Sequence, residues 1–220
     1  MVELISGRYA HAARGSVPER TKGADCKSAG IAFGGSNPPR PTHDDRLPTG
    51  PNTAVKTRPA TLDDAEAIRD IYNAEVTTSV VTFDMVPRSL EDQRQWLAAR
   101  SGVHAAIVAE DEGPSGDGTV VGFASLSPYQ HRPGYATSVE DSVYVHRDHR
   151  GRGVGRLLLG ELVNVATAHG FHAMLARIVG GHAASIALHE AFGFEIVGTE
   201  RQVGRKFGRW LDVVVMQRLL

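Results

Sequence analysis

Cysteine is nearly absent: Cys26 stands alone in 220 residues. One thiol excludes an intrachain disulfide framework and any multi-cysteine metal site, and it suits a reducing compartment. No apolar stretch reaches the length that spans a bilayer. The opening residues MVELISGRYAHAARG lack the uninterrupted apolar core of a secretory signal, so a cytoplasmic location is the default expectation. Charge of one sign is not in excess either, with 24 Lys and Arg against 25 Asp and Glu. That balance removes any general affinity for nucleic acid or an anionic membrane surface. What remains, 41% hydrophobic and 22% charged residues, is the composition of an ordinary globular chain.

The chain falls into two unequal parts. Residues 1–55 are rich in Gly, Pro, Ser and Thr and show no sustained period of 2 or 3.6. Such a segment buries too little apolar surface to offset its ordering entropy, so it reads as disordered or loosely held. A second reading stays open. GSVPERTKGADCKSAGIAFGGSNPP resembles a bacterial tyrosine transfer-RNA gene translated as though it were coding, since GSNP fits a T-arm and DCKS fits an anticodon stretch. On that reading residues 1–55 are a mis-annotated leader and translation starts downstream, near Val55. Residues 56–220 are then the folded domain.

From Val55 the pattern is orderly. VKTRPAT predicts a strand, and TLDDAEAIRDIYNAEV predicts a helix capped at Thr61 with Ala65, Ile68, Ile71 and Tyr72 at helical spacing. A second helix follows Ser89. HAAIVAED and VVGFASLSPY predict a hairpin. In TSVEDSVYVH, Val139, Asp141, Val143 and Val145 share one face while Glu140, Ser142 and Tyr144 share the other. GVGRLLLGELVNVATAHG predicts an amphipathic helix with Val154, Leu157, Leu158, Leu162 and Val165 on its stripe. HAMLARIV, AASIALHEAFG and two closing strands complete an α+β, mixed-sheet reading.

Between SVYVH and that helix lies Arg150-Gly151-Arg152-Gly153-Val154-Gly155. Glycines let backbone N–H groups turn inward, and a helix N-terminus adds a positive dipole end, so the stretch reads as a nest for phosphate. A basic turn capping a helix is the plainer reading. A Walker A loop needs Lys-Ser/Thr after its second Gly, and the dinucleotide fingerprint needs G-x-G-x-x-G; neither is present. What fits is Arg-x-x-Gly-x-Gly after a strand, the pyrophosphate loop of the Gcn5-related N-acetyltransferases (GNAT). From about Thr57 to Leu220 the chain resembles the phosphinothricin and methionine sulfoximine acetyltransferases of that superfamily. The likeness runs through IYNAEV, TFD with PRSLEDQRQWL, VEDSVYV, SIALHEAFGF and GRKFGRWLDVVVMQR.

The resemblance implies a GNAT fold, with a mixed central sheet splayed at the coenzyme strand and flanked by helices. It implies acetyl-CoA as co-substrate, no metal, a small-molecule amine acceptor, and a homodimer joined through the C-terminal strands. Glu140 matches the glutamate base, which acts through water; burial in a dry cleft would raise its pKa toward the working range. An exposed strand-edge acid is its bland alternative. Val143, Tyr144 and Val145 would pair with the pantetheine arm, the Val145 amide polarising the thioester carbonyl, while the Tyr144 side chain is equally well a core aromatic. Gly151, Gly153, Val154 and Gly155, with Arg150 and Arg152, would hold the diphosphate.

His182 and His189 stand where many superfamily members have Asn and Tyr. An imidazole can protonate a thiolate, so His189 is a candidate general acid; a histidine satisfied in the core is the competing reading. The His182 contact to coenzyme is an open departure from the pattern. Phe83, Arg132 and Tyr135 fit acceptor-pocket positions, Arg132 as a two-pronged carboxylate or phosphinate ligand. Two rival functions remain, a protein N-terminal acetyltransferase and a coenzyme A-binding module without catalysis.

Overall fold

Seven strands and four helices carry the part of the chain described by the computed structural model, residues 55–100, 102–113 and 118–220. The expectation for residues 1–55 concerns residues outside the described ones, except Val55, which opens the first strand. The strands are β1 Val55–Pro59, β2 Ala106–Asp111, β3 Thr119–Pro128, β4 Ser138–Val145, β5 Ala173–Val179, β6 Glu195–Lys206 and β7 Arg209–Leu219. The helices are α1 Ala65–Thr78, α2 Leu90–Ala98, α3 Val154–Ala168 and α4 Ala183–Glu190.

Local chemistry starts α2 at the expected Ser89 cap, whereas the helix expected after Thr61 begins as a 3₁₀ turn over Leu62–Asp64 and becomes α-helical at Ala65. The Asp64 carboxylate accepts from the Thr61 amide at 2.7 Å, closing a short 3₁₀ turn that leads into α1. Ser89 Oγ accepts from the Asp92 amide at 3.1 Å and caps α2. The sheet has order β1-β2-β3-β4-β5-β7-β6 and is mixed, because β4 and β5 run parallel while the other neighbours are antiparallel. None of the described helices is long and apolar enough to cross a membrane.

Each face of the sheet has its own core. On one, Ile68, Ile71 and Val76 of α1 and Leu97 of α2 pack on Val108 and Phe123. On the other, α3 packs on Ala124, Leu126, Val139, Met174 and Met216. Fully burying side chains of this size is worth ~1.5–3 kcal/mol each, enough to fix which face every strand residue takes. The stripe of α3 differs from the expected one. Leu159, Val163 and Ala166 join Val154, Leu158 and Leu162 in the core, while Leu157 is 47% exposed. A helix turns 100° per residue, so a stripe centred on Leu158 and Leu162 leaves Leu157 on the outer flank.

Candidate active site

The parallel pair at the centre of the sheet is short. Ser138, Val139 and Glu140 pair with Ala173, Met174 and Leu175, and beyond that point β4 and β5 part. β4 stays bonded to β3 as far as Val145, so its other edge, from Asp141 onward, faces a gap. A cavity of about 430 Å³ fills the gap, with Val143, Tyr144 and Val145 on one side and Ala176 to Val179 on the other. A strand edge opening onto a cavity offers main-chain donors and acceptors to an extended ligand.

The α3–α4 end of the cavity is made largely of main chain. Gly151 and Gly153 adopt φ of 75° and 83°, the left-handed region that strains any residue with a Cβ. Gly153 is also the N-cap of α3, so the unpaired amides of the helix's first turn, at Val154 and Gly155, lie on the cavity wall. Arg150 is turned elsewhere: Nη2 donates to buried Glu75 at 2.6 Å, and Nε donates to the Val145 carbonyl at 3.2 Å. It welds the glycine turn to α1 and β4. Arg152 is exposed and does not line the cavity. His182 does, and its Nδ1 caps α4 by accepting from the Ser185 amide at 3.2 Å.

Asp141 is the residue whose importance the sequence did not signal. It points to the α3–α4 face, and its Oδ2 lies 3.0 Å from Nε2 of His189, with both side chains buried. Nδ1 of His189 faces the Ser185 carbonyl at 2.7 Å. A carbonyl only accepts, so Nδ1 carries hydrogen; Nε2 faces a carboxylate, so the doubly protonated ring satisfies both contacts. Burial works against that charge. The hydrogen bond and charge of Asp141, with the Ser185 carbonyl, outweigh it and raise the His189 pKa above its ordinary value. Asp141 and His189 both line the cavity, and Asp141 Oδ1 is buried with no hydrogen-bond partner among the described residues.

Glu140 leaves the strand on the opposite face. Burial pushes its carboxyl above the ordinary carboxylate range, against the pull of Arg177 and with help from Asp141 and Glu200. Phe83 and Val81 line the cavity here, on the loop between α1 and α2. That loop is pinned: the Tyr72 hydroxyl donates to Asp84 at 2.6 Å, and Lys206 Nζ donates to the Thr82 carbonyl at 2.8 Å. The Phe83 ring rests on Gly204 so closely that a Cβ there would collide with it. Tyr144 stacks on Phe123 at 5.1 Å and meets Tyr72 edge-on at 5.2 Å, so its side chain is part of the α1–α2 core.

Glu140, His189, His182, Phe83 and the glycine turn therefore share one cavity. Arg132 and Tyr135 do not line it; they belong to the exposed turn around Pro133–Tyr135, where Tyr135 meets Tyr129 at 5.5 Å. Arg177, which the sequence reading passed over, does line it. Its position became visible only once the β4–β5 register was known. Among the described residues no group of three or more His, Cys, Asp or Glu could hold a metal ion.

The pattern of the GNAT acetyltransferase domain matches residues 58–215. The chain is 41% identical over 173 residues to the phosphinothricin N-acetyltransferase of Streptomyces coelicolor, covering 77% of this chain and 99% of that protein. It is 42% identical over 161 residues to the L-methionine sulfoximine/L-methionine sulfone acetyltransferase of Pseudomonas paraeruginosa, covering 73% and 91%. Among solved structures, a phosphinothricin acetyltransferase from Sinorhizobium meliloti in complex with acetyl-CoA superposes with a TM-score of 0.71 at 40% identity. That superposition covers 76% of this chain and 88% of that one.

Proposed function

Because the chain belongs to the GNAT acetyltransferase family, we propose that this N-acetyltransferase moves acetyl from acetyl-CoA to the α-amino group of a small amino-acid-like acceptor. Phosphinothricin and methionine sulfoximine, the acceptors in its relatives' names, are the model acceptors. The observation that carries the reading is the β4–β5 gap, which has a glycine-lined helix start at one end and a half-buried glutamate on the far face.

The residues divide the work as follows. The free edge at Val143, Tyr144 and Val145 pairs with the pantetheine arm, and the Val145 amide faces the thioester oxygen. The amides from Gly151 to Gly155 hold the diphosphate. Arg150 fixes that turn through Glu75, Arg152 adds only its outer field, and His182 holds the start of α4 beside the coenzyme. Bound acetyl-CoA supplies the acyl group. Glu140, ionised, takes a proton from the acceptor amine through a water; the N–C bond forms as the C–S bond breaks. His189 is the acid for the departing thiolate, its Nε2 proton passing on only once that nitrogen leaves Asp141, which until then keeps the ring oriented and charged. Transfer is direct, since residues 55–220 contain no cysteine to carry the acetyl group.

We further propose a cytoplasmic homodimer joined through the β6–β7 hairpin. β6 is an edge strand, and Ile196, Val197 and Trp210 are 53%, 56% and 61% exposed, which an isolated edge would not tolerate well. Sedimentation of wild type against Trp210→Glu tests this, a wild-type monomer overturning it.

The acceptor is tested by thiol release from acetyl-CoA across amino acids, sulfoximines, phosphinates and peptides. Turnover of peptides over free amino acids would favour a protein N-terminal acetyltransferase. Coenzyme binding without turnover of any amine would favour a binding module.

A further inference from the structure

On the acceptor face of the cavity, one cation has no role in the mechanism above. Arg177 stands on β5 two residues past Leu175, the strand partner of Glu140, so both side chains leave the sheet on the same face. Its guanidinium spends two of its five donors on Glu200 of β6: Nη1 on Oε1 at 2.8 Å, and Nη2 on Oε2. Glu200 pairs with Val213 of β7, so the ion pair bridges over β7 on the face that carries Glu140. The two side chains are 33% and 37% exposed. An ion pair that open contributes little to stability, so holding the fold together is a weak reason for its presence.

The cavity wall has two arginines among the described residues, Arg150 and Arg177. Arg150 is committed to Glu75 and the Val145 carbonyl at the other end. Arg132, the expected anion ligand, is outside the wall. An acceptor whose amine approaches Glu140 therefore meets Arg177 as its neighbouring positive charge, and the Arg177 charge already bears on the Glu140 carboxyl. A free amino acid presents this pair of complementary groups within a few bonds of each other: an amine for the glutamate and an oxyanion for the arginine.

We propose that Arg177 is a specificity-determining residue that binds an oxyanion of the acceptor, carboxylate or phosphinate, while Glu200 aims the guanidinium and competes with that oxyanion for it. The proposal rests on the reading of the Glu140 face as the acceptor side. It makes the enzyme selective for amine acceptors that carry an acidic group, and it gives Glu200 a role opposite to that of Arg177.

The test is steady-state kinetics of the full chain at saturating acetyl-CoA with L-methionine, L-methioninamide and phosphinothricin. The enzymes are wild type, Arg177→Gln, Arg177→Lys and Glu200→Gln, each first checked for a coenzyme-induced rise in melting temperature. In Arg177→Gln the ratio of kcat/KM for methionine over methioninamide falls about tenfold or more, the loss of a charge-assisted hydrogen bond. Arg177→Lys restores part of the ratio, and Glu200→Gln raises it above wild type by lowering the KM for methionine. A larger loss for phosphinothricin than for methionine assigns the contact to the phosphinate, and an equal loss assigns it to the α-carboxylate. A ratio unchanged in Arg177→Gln, or lowered alike by Arg177→Gln and Glu200→Gln, overturns the proposal. Full turnover by Glu140→Gln would instead overturn the acceptor-side reading beneath it, whatever the arginine variants do.

Discussion

On the α3–α4 side of the gap the cavity wall is mostly main chain, with the Gly151–Gly153 turn, the first amides of α3 and the capped start of α4. On the α1–α2 side it consists of side chains from separate segments, Phe83, Glu140 and Arg177, with Glu200 behind. The main-chain wall suits a ligand whose recognised part never changes, because backbone amides are indifferent to side-chain substitution. The side-chain wall can be re-cut one residue at a time, which suits a variable acceptor. The two carboxylates on either side of β4 express the same division. Asp141 is tied to a histidine in the core, and Glu140 is the proposed base.

The division can be broken from either side. Glu140→Gln should lower kcat by about 10²- to 10⁴-fold, the usual worth of a general base, and leave coenzyme affinity as it was. A matching loss in a coenzyme titration would erase the distinction between the walls. Asp141→Ala strands a buried imidazolium and should cost about 3–5 kcal/mol of stability near pH 6. The His189 pKa is raised above 6.5 in the fold, so the pair's contribution is complete below that pH and fades as the pH rises through the folded value. Urea denaturation at pH 6 and pH 9 should therefore show a smaller cost at pH 9; equal costs would mean a neutral ring.

A gentler cut reaches the other wall. Gly153→Ala forces a Cβ into left-handed backbone at about 1–2 kcal/mol, so coenzyme should bind roughly tenfold more weakly with little change in acceptor KM. The smallest effect sharpens the comparison. The acid limb of kcat/KM for the acceptor should lie above the ordinary carboxylate range, because burial raises Glu140. Arg177→Gln should move that limb to higher pH, since the arginine pulls the glutamate down. Movement to lower pH would show that Arg177 does not face it.

The same contrast explains which features were legible in the sequence. The proposed coenzyme wall is contiguous in the chain, from Val143 to Gly155, and glycine spacing after a strand is a local signal with a local cause. The helix caps at Thr61 and Ser89 and the alternation in β4 were legible for the same reason. The proposed acceptor wall is assembled by register. Arg177 comes onto the Glu140 face, two residues past Glu140's partner Leu175, through the β4–β5 pairing, and it meets Glu200 across β7. No spacing along the chain encodes that. Asp141 was hidden differently: alternation placed it on the face of Val139 and Val143, but only the packing of α4 supplied His189 as its partner. Leu157 was misassigned because three consecutive leucines blur the phase of a helix.

The seam between β4 and β5 also has a bearing on how long the protein lasts. Three residue pairs join the two halves of the sheet there, and whatever lies along the free edge adds rungs to a ladder the chain leaves short. Occupancy and resistance to unfolding are thus one equilibrium: at a hundred times its Kd, a ligand adds about 2.7 kcal/mol to the whole fold. Heat tolerance and survival against proteases should rise and fall with the supply of acetyl-CoA, so that a starved cell keeps less of the enzyme than a well-fed one.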